Sequence, residues 1–429
     1  MPKGYARYAL AVMVGINFLN YMDRYVPTAV SPILQKEFHL SDFMVGVVAS
    51  SFLIVYAVFA LPFGYWADRS IRRNVVGIGV TIWSLATLLT GFAQNITHLI
   101  ASRAVVGIGE ASYYPAGTSL LGDYFPKHTR GRAMSIWGAG TAFGIAVGFI
   151  GGGIIAEKFG WRYAFFVTAI PGLIFAVLAF TLKEPLRGAA EERGPRVATA
   201  NASSLKAFRQ LLRIRTLALT IAAQTFLFWV LAADVSWLPI FMVRQFHLSP
   251  SGASSLSGGV VVAGGLIGTL TGGWVADHRG KKSAKGNVEV ALVGFLVGAI
   301  GVGVAVLSPV YILFIPFFLI SVIALYLYSG PFTALGQNIV PPSLRASAVT
   351  LGLFIPHLLG DSWSTAAVGI LSDTFHSLQL ALLITGTPML LIAALLAYLA
   401  LKSVEHDTKA MEDTWAAGRI DAVPVAVAD

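Results

Sequence analysis

Gly64-Tyr65-Trp66-Ala67-Asp68-Arg69-Ser70-Ile71-Arg72-Arg73 follows the second apolar run of the chain, and a weaker copy, Gly273-Trp274-Val275-Ala276-Asp277-His278-Arg279, returns 209 residues later. Phe38-His39-Leu40-Ser41 returns in the same way as Phe246-His247-Leu248-Ser249, 208 residues on and again just ahead of an apolar run. One such match is within the reach of chance, but two at nearly one offset point to a duplication. The 429 residues therefore read as two parallel repeats joined by a linker.

Working outward from these matches, the apolar runs cover about 8–33, 43–67, 74–93, 96–122, 132–156, 161–182, 216–242, 252–276, 288–307, 309–339, 347–372 and 378–401. Each is close to the roughly 20 residues that one helical crossing of a bilayer requires. A composition of 56% hydrophobic and 12% charged residues leaves little chain for an aqueous domain and argues against a soluble enzyme. The expected fold is an all-α membrane protein of twelve transmembrane helices. Residues 1–182 form one six-helix half, 183–215 a cytoplasmic linker, 216–402 the second half and 403–429 a cytoplasmic tail. The linker holds Glu191, Glu192, Arg193, Gly194 and Pro195, a composition for short surface helices or a mobile tether.

The chain has 30 Lys and Arg against 21 Asp and Glu, an excess that could suggest nucleic acid. Position decides against it. With Met1 inside, 24 of the basic residues fall in inner segments, and the outer loops hold only Lys36, Lys158, Arg162 and Arg244. This is the positive-inside pattern; it places both termini in the cytoplasm and leaves no nucleic-acid footprint. Lys3 and Arg7 before an apolar stretch imitate a secretory signal, but Asn20, Asp23 and Arg24 interrupt it. The absence of cysteine removes thiol chemistry, and Gly77-Ile78-Gly79 and Gly151-Gly152-Gly153 lie inside apolar runs rather than at a strand–turn–helix phosphate loop. No cofactor is expected beyond a proton gradient.

Two halves of six helices with Gly64-xxx-Asp68-Arg69-xx-Arg72-Arg73 between the second and third runs resemble the major facilitator superfamily. Within it, Asn20-Tyr21-Met22-Asp23-Arg24-Tyr25, Arg103-xxx-Gly107-Ile108-Gly109-Glu110-Ala111-Ser112-Tyr113, Gly122-Asp123 and His357-Leu358-Leu359-Gly360-Asp361 are similar to the spinster family of lipid transporters, over nearly the whole chain. Ser362-Trp363-Ser364-Thr365 departs from the small-residue step expected after the last of these motifs. The resemblance implies alternating access, gated at the cytoplasmic face by Gly64, Asp68, Arg69, Arg72, Arg73, Asp123, Gly273 and Asp277. Asp68 would meet a helix N-terminus and the arginines would meet carboxylates such as Asp123. The resemblance also implies a substrate like the lysophospholipids and sphingosine-1-phosphate linked to animal members.

The residues inside the runs carry the chemistry. A charge in hydrocarbon costs about 3 kcal/mol on insertion scales, so it needs a partner or a wet cavity. Arg103 and Glu110 are seven residues apart, which places them within about 20° on one helix face. Asp23 and Arg24 lie near the middle of the first run, and Asp361 and His357 are one turn apart on the eleventh. Carboxylates in poorly solvated sites load and release protons near neutrality, whereas a nearby guanidinium opposes protonation. Asp23, Glu110, Asp361 and His357 are therefore the expected proton-coupling groups, and Arg24 and Arg103, with Tyr21, Tyr25 and Tyr113 beside them, the expected substrate-binding groups. The alternative is a permanently closed set of ion pairs that only fixes helix packing. Asp234 ranks below these because it lies near the outer end of its run. Gly140, Gly144, Gly148 and Gly152 make a small-residue stripe for close helix packing, and no Gly-Pro pair of the drug-antiporter kind occurs in it. The expected partners are protons, membrane lipids and an amphiphilic small molecule, with a small organic anion or a drug as the rival substrate and a non-transporting receptor as the rival class. The protein is expected to be a monomer in a bacterial inner membrane.

Overall fold

The computed structural model describes residues 3–187, 205–280, 283, 285–341 and 344–416, and among them it contains helices and no strands. The linker between 188 and 204 and the tail beyond 416 lie outside the described residues. In chain order the helices are α1 Lys3–Glu37, α2 Asp42–Arg69, α3 Arg72–Gly91, α4 Ile96–Ala111, α5 Tyr113–Tyr124, α6 Lys127–Phe159, α7 Trp161–Thr181 and α8 Leu205–Leu211. There follow α9 Arg215–Phe246, α10 Pro250–Gly280, α11 Gly286–Val306, α12 Tyr311–Tyr326, α13 Ser329–Asn338, α14 Arg345–Ile355, a π-helical turn Pro356–Asp361, α15 Ser362–Phe375 and α16 Leu378–Ala416. Every expected apolar run falls on helix.

Three runs expected to be single helices are interrupted. The fourth divides at Ser112 into α4 and α5, and the tenth divides at Leu327 and Tyr328 into α12 and α13. The cause is the same in both halves: Pro115 and Pro331 lack the N–H that would reach back to the carbonyls of Ala111 and Leu327. In the eleventh run Pro356 begins the π turn between α14 and α15.

The duplicated Phe-His-Leu-Ser stretch is a helix–turn–helix joint. His39 (φ 50°) and His247 (φ 54°) both adopt the left-handed conformation that ends one helix. Ser41 then accepts from the Met44 N–H to start α2, and Ser249 accepts from the Gly252 N–H to start α10. Gly160, at φ +99°, gives the equally tight turn between α6 and α7.

The described helices form two compact bodies, one from Met1–Gly194, Val235–Val262 and Thr365–Leu378, the other from Pro195–Asp234, Ala263–Ser364 and Gln379–Asp429. They cut across the two sequence halves because the ends of α9, α10 and α15 pack against α1, α2 and α6. In the first body, for instance, a Cβ on Gly258 would lie 2.6 Å from that of Phe149. The core of this body gathers Met13, Ile16, Val76, Trp83 and Leu120. Its tightest seam is the glycine stripe of α6 against α1, where a Cβ on Gly144 would lie 2.4 Å from the Phe18 carbonyl oxygen and one on Gly148 2.8 Å from that of Met22. This close approach fixes α1, and with it Asp23 and Arg24.

Candidate functional site

By length and composition, 9 helical segments among the described residues can cross a membrane. The expected spans outside that set are α1, α4 with α5, and α14 with α15. Those three carry Asp23 and Arg24, Arg103 and Glu110, and His357 and Asp361.

In the first body, α1 and α4 bring the first four together. Arg24 donates to Glu110 Oε2 through Nη2 at 2.7 Å and Nε at 3.1 Å. Arg103 Nη1 stands 3.8 Å from Asp23 Oδ1, too far for a hydrogen bond, and the Thr87 hydroxyl donates to the other carboxylate oxygen of Asp23. The side chains of Glu110, Asp23 and Arg103 are 0%, 1% and 4% exposed and that of Arg24 is 19% exposed. Asp23 Oδ1, Arg103 Nη1 and Glu110 Oε1 are buried with no hydrogen-bond partner among the described residues. Buried polar atoms of this kind are rare and costly, so the site has binding capacity to spare.

Aromatic rings finish the site. The Arg24 guanidinium carbon is 5.2 Å from the ring centre of Tyr21, 5.1 Å from Phe52 and 4.9 Å from Tyr56, and that of Arg103 is 4.9 Å from the same Phe52 ring. Phe52, Tyr56 and Thr87 were not singled out from the sequence. A phenylalanine in an apolar run looks like any lipid-facing or core residue, and only the contact with two cations distinguishes it.

Tyr25 packs against Phe149 with ring centres 5.1 Å apart, beside the same stretch of α1. Tyr113 is placed differently from the expectation that it lines a binding site. It is 2% exposed, its hydroxyl donates to the Met13 carbonyl and accepts from Trp137 Nε1, and its ring meets Trp83 edge-on. The helix break at Ser112 turns the ring into the core, where it packs.

In the second body the π turn sets His357 Nδ1 within hydrogen-bonding distance of Asp361 Oδ2, with the Phe228 ring nearly perpendicular to the imidazole at 5.0 Å. Asp361 Oδ1, Asp234 Oδ2 and Trp229 Nε1 are also buried without hydrogen-bond partners among the described residues.

The loop motif divides sharply. Arg72 is buried and bonds Asp123, Glu184 at 2.7 Å and the Ser119 hydroxyl at 2.8 Å. Glu184, rather than Asp68, meets a helix N-terminus, accepting from the Arg73 N–H at 3.1 Å at the start of α3. Asp68 is exposed and makes no hydrogen bond among the described residues, and Arg69 lies over the Tyr65 ring at 3.5 Å. Gly64 and Gly273 have open space where a Cβ would go, and Asp277 is exposed beside an Arg279–Glu289 pair of 3.4 Å. Glu184 follows the sixth run with nothing in the sequence to link it to a loop more than 100 residues earlier.

Duplicated helical halves, most of their helices apolar enough to cross a membrane, define a multi-pass membrane protein, and the Major Facilitator Superfamily profile matches residues 13–360. Protein spinster homolog 1 of Xenopus tropicalis is 30% identical over 389 residues, covering 84% of this chain and 72% of that protein. The sphingosine-1-phosphate transporter SPNS2 of Mus musculus is 30% identical over 374 residues, covering 83% and 68%. The chain belongs to the spinster family of the major facilitator superfamily: it is an integral multi-pass membrane protein and a transporter, not an enzyme. A solved bacterial homologue of the human lysosomal transporter spinster, inward-facing and unoccupied, superposes with a TM-score of 0.87 at 24% identity, over 95% of this chain and 99% of that one.

Proposed function

We propose that this protein is a proton-coupled secondary transporter that moves an amphiphilic, lipid-like molecule of the lysophospholipid or sphingoid-phosphate type by alternating access. The observation that carries this reading is the buried quartet of Asp23, Arg24, Arg103 and Glu110 with three polar atoms lacking partners. Arg103 makes no close ion pair and has N–H groups to offer, so it is the natural ligand for a phosphate head group. Arg24 is engaged with Glu110. A proton on Glu110 cancels the charge that holds Arg24, which frees a second guanidinium for the substrate, and loss of that proton closes the pair again. Asp23, 3.8 Å from Arg103, attracts that guanidinium without bonding it, and a proton on Asp23 removes the attraction. His357 and Asp361 supply a second titratable pair, and Tyr21 and Tyr25 flank the path of the apolar tail.

The loop residues Gly64, Asp68, Arg69, Arg72, Arg73, Asp123, Gly273 and Asp277 act as the gate at the basic face. The proton gradient is the energy source, with no bound cofactor. The excess of Lys and Arg on one side supports cytoplasmic termini in a bacterial inner membrane, and the chain works as a monomer. The lipid-like substrate is supported by the name of the mouse relative, a sphingosine-1-phosphate transporter.

The test is uptake by vesicles containing the purified chain under an imposed pH gradient, with sphingosine-1-phosphate, a lysophospholipid and small carboxylates offered separately. pH-dependent accumulation of either lipid is expected. Accumulation of the carboxylates alone makes the protein a small-anion carrier, and no pH-linked uptake of any of them removes the proton-coupled reading.

A further inference from the structure

The two cations of the charged quartet share an uncharged partner on a helix that carries none of the four charges. The guanidinium carbons of Arg24 and Arg103 lie 5.1 Å and 4.9 Å from the centre of one ring, that of Phe52 on α2. Phe52 is 4% exposed, so water is excluded from this contact. Tyr56, one turn further along the same face of α2, sets its ring centre 4.9 Å from the Arg24 guanidinium carbon.

The backbone sets where this ring stands. Gly107 lies on α4 between Arg103 and Glu110, and a Cβ on it would be 2.7 Å from the Phe52 carbonyl oxygen and 3.1 Å from the Tyr56 nitrogen. Helices α2 and α4 therefore touch backbone to backbone at the level of the charges, an approach that only a residue without a side chain allows. The other groups around Glu110 that carry or can carry charge are Asp23, Arg24 and Tyr21 of α1, Tyr56 of α2 and Arg103 of α4 itself.

A ring holds a cation differently from a carboxylate. It attracts the positive charge through its quadrupole, most strongly where water is excluded, and it takes up no N–H, so the donors of the guanidinium stay available to an anion. A guanidinium paired with a carboxylate presents little net charge to the ring, whereas one whose carboxylate has gained a proton presents all of it. The contact therefore counts most in the state in which the ion pair is broken. Arg103 is near that state already, 3.8 Å from Asp23 and with its Nη1 lacking a hydrogen-bond partner among the described residues. Arg24 reaches it when Glu110 is neutralised.

We propose that Phe52 is a positioning residue for coupling: its ring takes over the Arg24 guanidinium when Glu110 is neutralised, and holds that of Arg103 with its donors open to an arriving anion. The proposal rests on the proton coupling inferred above and not on the identity of the substrate.

The test places phenylalanines bearing one, two and three ring fluorines at position 52 of the full-length protein, which drains the negative ring face in steps at nearly constant size. Proton uptake by the purified protein on acidification is followed with an indicator dye, and the difference from Glu110→Gln isolates the step that belongs to that carboxyl. A weaker ring penalises the state with Arg24 unpaired, so proton affinity should fall with each fluorine, about tenfold for three, which lowers the midpoint by about one pH unit. Phe52→Leu should lower it at least as far, and Phe52→Tyr, which keeps the ring, should leave it within about twofold of the unsubstituted protein in affinity. A side chain that only fills space gives one midpoint across the fluorine series, and that result overturns the proposal even where Phe52→Leu does not fold. A flat series with the Glu110 step present removes the role of Phe52 alone. Absence of that step from the unsubstituted protein removes proton loading at Glu110, and the role of Phe52 with it.

Discussion

Replacing Glu110 by Gln keeps the size of the side chain and an oxygen that Arg24 can still bond, and removes the charge that Arg24 faces. Stranding one member of a buried ion pair costs about 3–5 kcal/mol. Two features of this site reduce that. Arg24 retains 19% exposure, and its guanidinium lies within 5.2 Å of three ring centres, so the remaining cation keeps water and π-faces as partners. The expected loss is about 2 kcal/mol, a fall of a few degrees in Tm, and the variant folds. Its transport should divide. Accumulation driven by a pH gradient is lost, because the carboxyl that loads the proton is gone, while counterflow of labelled against unlabelled substrate persists and no longer varies with pH through the range in which Glu110 titrates. The assay is uptake in vesicles of both kinds, with Tm recorded on the same preparation. Equal loss of driven uptake and counterflow refutes the reasoning, because it makes the Arg24–Glu110 pair a packing device that coupling does not use.

Three further outcomes follow from contacts of the two bodies. Tyr113→Phe removes a hydroxyl that bonds Met13 and Trp137 inside the core, so thermal unfolding should show a loss of about 1–2 kcal/mol with substrate affinity unchanged; an affinity change at unaltered stability returns Tyr113 to the binding site. Gly144→Val forces α1 from α6, since a Cβ there lies 2.4 Å from backbone oxygen and 2.9 Å from Tyr21, and should cost about 3 kcal/mol and most of the uptake, whereas Gly122→Ala, with open space around it, should be neutral or slightly stabilising in the same melting and uptake assays. Asp407→Ala removes the acceptor for the Thr216 N–H at the start of α9, bonded at 2.9 Å, and should lower stability by about 1 kcal/mol in a thermal melt while leaving the first body intact.

What could be read from the sequence follows a physical division. The repeat is visible because its joints need unusual backbone: a histidine at φ 50° and its copy at 54° stand between helix ends, so the short sequence around them is constrained in both halves. The charged residues are visible because each departs from an otherwise apolar run. Their partners are not. Phe52, Tyr56 and Thr87 have the composition of any membrane helix, and what sets them apart is distance to α1 and α4, which periodicity does not encode. Glu184 and the seam between Asp42 and Asp373 join residues 112 and 331 positions from their partners. The breaks at Ser112 and Leu327 had a local signal in Pro115 and Pro331, but length and hydropathy outweighed it: an apolar stretch of about 27 residues reads as one helix unless the missing N–H is counted.

The spans that fall outside the apolar set hold the charged quartet and the His357–Asp361 pair, and that coincidence bears on coupling. Each ionised residue near the centre of a membrane helix costs about 2.5–3.5 kcal/mol on insertion scales, and well-packed apolar residues in place of a buried ion pair are often neutral or stabilising. Stability alone therefore does not account for Asp23, Arg24, Arg103 and Glu110. Their arrangement suggests what does. Both pairs run between helices, α1 to α4, and neither lies within one. Asp23 and Arg24 are neighbours in the chain and point about 100° apart, while Arg103 and Glu110 stand about 10 Å apart along one face of α4. One short segment of α1 thus reaches a cation and an anion two turns apart on its neighbour. A proton or a head-group phosphate that neutralises one pair leaves the other as the stronger tie, so the favoured position of α1 on α4 changes with what is bound. Pairs closed within a single helix would have neutralised the same charges at similar cost, yet binding there would have moved nothing.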